Sequence, residues 1–388
     1  MTNGSSSVAG AIQTARAALA RRDWSGAAAI LAQAGPDLPV EGLLDQALAL
    51  RMLGRFVDAL DRIEAALALD PRHLVALLSK GALLERLNRN KAAALVYRNA
   101  LACAPPDDVL PPALRSQLAH ARQVQQNFSE RLADHLRFSV ADAKSRWAGE
   151  SFERFDESLR IFAGLQRPYP QEPLLLHYPR LPAIPFYDRA QFPWLETLEA
   201  ATPVIQEELN AVLAHKPQDF APYIAFPPGV PVDQWAELNH SPRWTSFFLW
   251  RDGVRQDEAC ALCPRTAALM DRLPLMRQPG FAPTVIFSQL EPHTRIPPHS
   301  GSANHRLLCH LPLILPGPAR FRVGAETRSW EMGKAWVFDD TIEHEAWNDA
   351  DAPRTILIID LWNPLISEAE KDLISLMMSA SNAFRAEP

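Results

Sequence analysis

Five histidines, His293, His299, His305, His310 and His344, crowd one stretch of the chain. A single histidine on a strand is ordinarily structural, but a cluster bounded by short apolar runs raises metal binding, since neutral imidazole suits iron, zinc and copper. An open iron(II) oxygenase site normally combines two histidines with one carboxylate. The acid usually stands two residues after the first histidine. Here that place is Gly301 after His299 and Ala346 after His344, with Glu343 and Glu345 flanking the second histidine. A complete triad is therefore not written, and the pattern alone reaches no further than a β-barrel with a metal. Regular alternation would turn Glu343 and Glu345 to the surface or behind a metal ligand, whereas a bulge would set them beside His344. Asp339 and Asp340 follow a strand and read as turn residues, with acid chemistry as the alternative. Cys260 and Cys263 form a lone Cys-x-x-Cys without a second pair, which reads as structural.

The elements around these residues are short strands, expected at 284–290, 306–315, 320–323, 334–338, 344–347 and 354–362. Pro316-Gly317-Pro318, Gly324, Gly333 and the run 348–351 separate them as turns, which suggests a sandwich or barrel. Trp330, Trp336, Trp347 and Trp362 are expected in its core, and His293 and His305 on loops or the rim. A helix is expected over 193–214 and a closing helix over 366–385. Residues 167–185 hold Pro168, Pro170, Pro173, Pro179, Pro182 and Pro185, so this stretch is an ordered loop or linker. Residues 107–165 keep a helical pattern.

The first third repeats. At a shift of 34, Leu50 meets Leu84, Leu53 meets Leu87, Ala59 meets Ala93, Ala66 meets Ala100 and Pro71 meets Pro105. An earlier, degenerate unit aligns Trp24, Ala27, Leu31 and Ala34 with Phe56, Ala59, Ile63 and Ala66. This period resembles the tetratricopeptide repeat, whose units stack because none buries its apolar face alone. Two roles stand open: a concave surface for a peptide or protein partner, or a spacer or dimerisation arm. The expected organisation is repeats over 8–106, a helical and proline-rich linker over 107–184, a β domain over 185–365 and a helix over 366–388. The net charge of −6 gives no footprint for nucleic acid. The first residues lack the basic and apolar regions of a signal peptide, and no apolar run reaches membrane-spanning length. A cytoplasmic location is the expectation.

Beyond the pattern, several runs resemble the aspartyl/asparaginyl β-hydroxylase family. They are Pro298-His299-Ser300-Gly301, Asn304-x-Arg306-Leu307-x-x-His310, Phe338 to Trp347, Arg354, and Asp360-x-Trp362-x-Pro364. The resemblance covers about residues 185–365. It implies a double-stranded β-helix of jelly-roll or cupin-like type, so the chain is expected to be an α+β multidomain protein with a tetratricopeptide-type solenoid ahead of it. It also implies iron(II), 2-oxoglutarate and O2, with iron held by two histidines and no acid, which suits Gly301. Carried over by position, His299 and His344 become the iron ligands. Arg354 and Ser288 hold the distal carboxylate of 2-oxoglutarate, His310 the carboxylate near the metal, and Trp244 lines the pocket. Better-known members have an arginine where this chain has Leu308; Arg306 or Arg322 could compensate. The implied reaction hydroxylates the β-carbon of Asp or Asn in a peptide or protein that the repeats could present. Other substrates of the same chemistry are a free amino acid or an acyl chain. A non-catalytic scaffold and a cupin-like zinc or manganese protein are the remaining alternatives.

Overall fold

A computed structural model describes residues 3–385. The chain divides into two units, Met1–Arg167 and Pro168–Pro388. The boundary falls inside the stretch 107–184, whose helices go with the first unit and whose proline-rich segment from Pro168 goes with the second.

The first unit is helical: α1 (Asn3–Ala20), α2 (Trp24–Gln33), α3 (Val40–Met52), α4 (Phe56–Leu69), α5 (Leu74–Arg86), α6 (Asn90–Cys103), α7 (Pro112–Ser145) and α8 (Glu153–Ala163). Consecutive helices pack in pairs, and Ala27, Ala59 and Ala93 are wholly buried at equivalent places. Each pair turns through one residue with positive φ: Arg22, Gly54 and Asn88 at 62°, 76° and 55°. Glycine and asparagine take that conformation most cheaply, and Arg22 marks the degenerate repeat. Gly81 is needed because a Cβ there would stand 2.2 Å from the ring of Tyr97. These features make the unit a tetratricopeptide-type solenoid.

The second unit contains helices α9 (Leu195–Ala200), α10 (Thr202–His215), α11 (Asp257–Leu262), α12 (Pro264–Arg272) and α13 (Glu368–Arg385). Its strands are β1 (Ala221–Pro222), β2 (Trp244–Arg251), β3 (Val254–Arg255), β4 (Val285–Leu290), β5 (Thr294–His299), β6 (Arg306–Ile314), β7 (Ala319–Val323), β8 (Glu326–Ser329), β9 (Trp336–Phe338), β10 (His344–Asn348) and β11 (Arg354–Trp362). The single helix expected over 193–214 is two helices that meet at Ala201. Pro203 lies in the first turn of α10, where its missing N–H costs nothing but could not continue a helix from before.

Two antiparallel sheets form. The larger has seven strands in the order β1-β2-β4-β11-β6-β9, with β3 against β2; the smaller runs β5-β10-β7-β8. Ile356 and Leu290 of the large sheet pack with Ile296, Phe321 and Val323 of the small one. The outer face of the large sheet packs Phe287 and Leu357 under Leu198, Leu209 and Met270. The result is a jelly-roll, double-stranded β-helix of two facing sheets, open instead of closed into a barrel, with helices on one side. Cys260 and Cys263 are buried beneath those helices as structural residues. β5 was not among the expected strands because Pro297 and Pro298 cannot donate to a ladder; it lies at a sheet edge, where proline is tolerated. The proline-rich stretch is ordered against the β structure: Gln171 bridges to Ile342 and Leu176 to Ala303. Asn304 Oδ1 accepts from the Tyr178 N–H at 2.6 Å. Among the described residues no helix is long and apolar enough to cross a membrane.

Candidate active site

β5 and β10 pair so that His299 stands directly opposite His344. Their ring centroids are 4.0 Å apart, tilted by 54°. Each Nδ1 faces the carbonyl two residues earlier: His299 to Pro297 at 2.7 Å and His344 to Ile342 at 3.1 Å. This network assigns the ring proton to Nδ1 in both, so each Nε2 carries a free lone pair. Burial lowers the pKa of His299 to about 3, helped by the neighbouring His344, and burial lowers that of His344 to about 4. Both rings are therefore neutral, as metal binding requires. Two unperturbed imidazoles would each be about nine-tenths protonated at pH 5.5. Here calorimetric titration of Mn(II) is expected to give affinities within about twofold between pH 7.5 and 5.5. A steep fall over that range would contradict the neutral pair.

Arg354 opens β11, paired with Leu290. Its side chain is only 1% exposed. Nη1 donates weakly to the Ser288 carbonyl at 3.4 Å, the guanidinium lies 4.8 Å from the Trp330 ring centroid, and Nε has no partner. No carboxylate among the described residues pairs with it. Burial alone pulls its pKa down to about 9. A buried, uncompensated cation is costly, and an anion entering the cavity would relieve it. Ser288 Oγ accepts from Trp244 Nε1 at 3.0 Å, which frees the serine proton for such an anion. His310, on β6, is buried with Nδ1 unpartnered, and burial and the Arg354 charge hold it neutral.

Trp244, Ser288, His299, Arg306, His310, His344 and Arg354 all line one cavity of about 450 Å³. Arg306, however, is engaged: it pairs with Asp340 and lies 3.5 Å from Asp360. Arg322 does not line this cavity; it pairs with Glu343 at 2.9 Å and Glu345 at 2.5 Å. Neither arginine thus offers an uncommitted charge in place of the one missing at Leu308. Glu345, despite a register irregularity between His344 and Ala346, is held by Arg295 and Arg322 away from the cavity.

Asp339 is a turn residue, its Oδ1 accepting from the Thr341 N–H at 2.9 Å. Asp340 is not: its carboxylate lines the cavity, and a Cβ on Gly301 would stand 1.9 Å from its Oδ2. The space in which an acid two residues after His299 would stand is taken by the Asp340 carboxylate. Gly301→Asp is accordingly expected to destabilise the fold by about 1–3 kcal/mol, read as a lower denaturation midpoint, and not to complete a three-ligand site. Unchanged stability with tighter metal binding would reverse that view.

Asp360 and Trp235 were also missed as lining residues; the Trp235 ring lies 5.0 Å from that of His299. Trp235 sits in a single short turn (Asp233–Trp235) that leaves no periodic signal. His305 lies in the turn before β6, as expected of a loop residue, but it is wholly buried there, between Phe281 and Trp362, and not at the rim. Trp347 is not core; Arg295 and Arg320 lie against its ring on the outer face. His293 is on the rim, paired with Asp351.

Two neutral imidazoles and a buried arginine thus share one cavity between the two sheets. Residues 199–364 match the profile of the aspartyl/asparaginyl β-hydroxylases. The chain belongs to that family and is a hydroxylase by descent. It is 35% identical over 206 residues to an ornithine lipid ester-linked acyl 2-hydroxylase of Rhizobium tropici, covering 51% of this chain and 67% of that one. It is 30% identical over 264 residues to the aspartate β-hydroxylase domain-containing protein 2 of Xenopus tropicalis, covering 66% and 68%. Against human aspartyl/asparaginyl β-hydroxylase it is 36% identical over 144 residues, which span 37% of this chain but 18% of the human protein.

Proposed function

We propose that this protein is an iron(II)- and 2-oxoglutarate-dependent dioxygenase that hydroxylates an unactivated C–H bond. The observation that carries the reading is the buried Arg354, without a carboxylate partner, sharing a cavity with two neutral, facing imidazoles. His299 and His344 would hold the metal through Nε2. Structural zinc sites close on four protein ligands, whereas a pair leaves positions for other ligands. Arg354 would take the distal carboxylate of 2-oxoglutarate through its guanidinium fork, with the Ser288 hydroxyl as second donor. Trp244 fixes that hydroxyl, and His310 would take the carboxylate near the metal.

The cofactor set supplies the oxidation. When bound, that set would deliver one oxygen atom of O2 to the C–H bond as an alcohol and the other to succinate, with release of carbon dioxide. Two electrons from the keto acid and two from the C–H bond account for the reduction of O2. The candidate substrates are an Asp or Asn residue of a peptide or protein and an acyl chain, the two classes that the relatives' names cover. The repeat unit supports a protein partner, with a groove of about 970 Å³ that includes Arg51 and Arg86. The test is purified protein with iron(II), ascorbate and 2-oxoglutarate. Slow succinate formation without substrate and faster formation with it are expected. No succinate, together with no 2-oxoglutarate binding in the presence of Mn(II), would end the proposal.

A further inference from the structure

The substrate side of the cavity has its own chemistry. On the large sheet, register places His310, Ile358, Ile286 and Phe248 side by side on β6, β11, β4 and β2. Strands lie about 4.8 Å apart, so this row spans roughly 14 Å. Leu308 is two residues before His310 on the same face and pairs with Asp360. Phe248, Leu308 and Ile358 are only half-buried although they face inward, and they line the cavity. Bare apolar surface inside a cavity marks a place for an apolar ligand. Phe281, 5.4 Å from the Arg306 guanidinium, extends this lining.

Charge points the same way. Apart from Arg354, the lining sets Arg251 and Arg306 against Asp252, Asp340 and Asp360. Arg306 is committed to Asp340 and Asp360, and Arg251 lies over the Phe248 ring at 4.8 Å. In the buried part of the lining a substrate carboxylate would meet Asp340 and Asp360 and a guanidinium, Arg306, already committed to both, which is unfavourable at low dielectric; Arg251 and Asp252 are both more than half exposed.

We infer that the C–H bond offered to this site belongs to an aliphatic chain lying along Phe248, Ile286 and Ile358 and across Leu308, and not to an acidic side chain. The hydroxylation of that chain rests on the dioxygenase reading; its binding in the lane does not. The experiment is calorimetric titration of the full chain, loaded with Mn(II) and 2-oxoglutarate. The probes are monodecanoylglycerol below its micellar concentration, a neutral decapeptide with a central Leu, and the same peptide with a central Asp. Decanoyl binding is expected and Asp-peptide binding is not. Leu308→Arg is expected to weaken the decanoyl probe at least tenfold, and Phe248→Ser to do the same at the far end of the lane. Binding of the Leu peptide in place of the decanoyl probe would show that the chain arrives on a protein. Preference for the Asp peptide, or decanoyl affinity within twofold in both variants, would overturn the inference. If 2-oxoglutarate itself does not bind, the reaction reading fails, and titration of the unloaded protein with monodecanoylglycerol still reads the lane.

Discussion

Arg354→Met is expected to make the ligand-free protein more stable while abolishing its response to 2-oxoglutarate. The wild-type guanidinium is buried without a counter-ion, and an ion so placed costs several kcal/mol after relaxation. A methionine fills similar space without charge, so a gain on the order of 2 kcal/mol is expected, roughly 4–8 °C in Tm for a domain of this size. The linkage has a definite sign. Burial disfavours the charged guanidinium and pulls its pKa down from the ordinary arginine value to about 9. Its penalty is therefore full at neutral pH and fades only as pH rises through 9. In the wild type, 2-oxoglutarate at a hundred times its Kd should add about 2.7 kcal/mol; in the variant it should add nothing measurable. Thermal denaturation with and without the keto acid checks both halves. A variant that loses stability instead would mean that Arg354 is satisfied within the protein.

The second large effect concerns the imidazole pair. A chain with both His299→Ala and His344→Ala should lose Mn(II) binding below calorimetric detection and lose succinate formation with it. Each single variant keeps one Nε2 donor and should bind the metal at least tenfold more weakly. The two rings stand opposite each other across β5 and β10 with centroids 4.0 Å apart, and no group of three or more metal-ligating side chains exists among the described residues. Undiminished metal affinity in the double variant would locate the ion elsewhere.

Much of this architecture was readable because it rests on local rules. The repeat was visible from small residues at fixed spacing, which pack where helices touch; the left-handed turns at Gly54 and Asn88 emerged only with the structure. The seven expected site residues do share one cavity, although resemblance and not periodicity singled them out. What escaped detection depended on long-range placement. Pro297 and Pro298 disguised β5, since only its edge position makes them tolerable. Asp340 looked like its neighbour Asp339, yet Arg306 and the space above Gly301 draw it inward. The state of Arg306 was equally hidden, because Asp340 and Asp360 are distant from it in sequence and adjacent only after folding.

The two imidazoles are not anchored alike. His344 belongs to an interior strand laced on both sides, to β5 and to β7, while His299 belongs to a margin with one neighbour and two prolines. An ion shared between them would act as a rivet, fastening the weaker selvedge of the small sheet to its firmest line. When the ion departs, fraying should begin at residues 294–299, and a metal-starved cell would hold a protein whose first loosened thread is the one that carried its ligand.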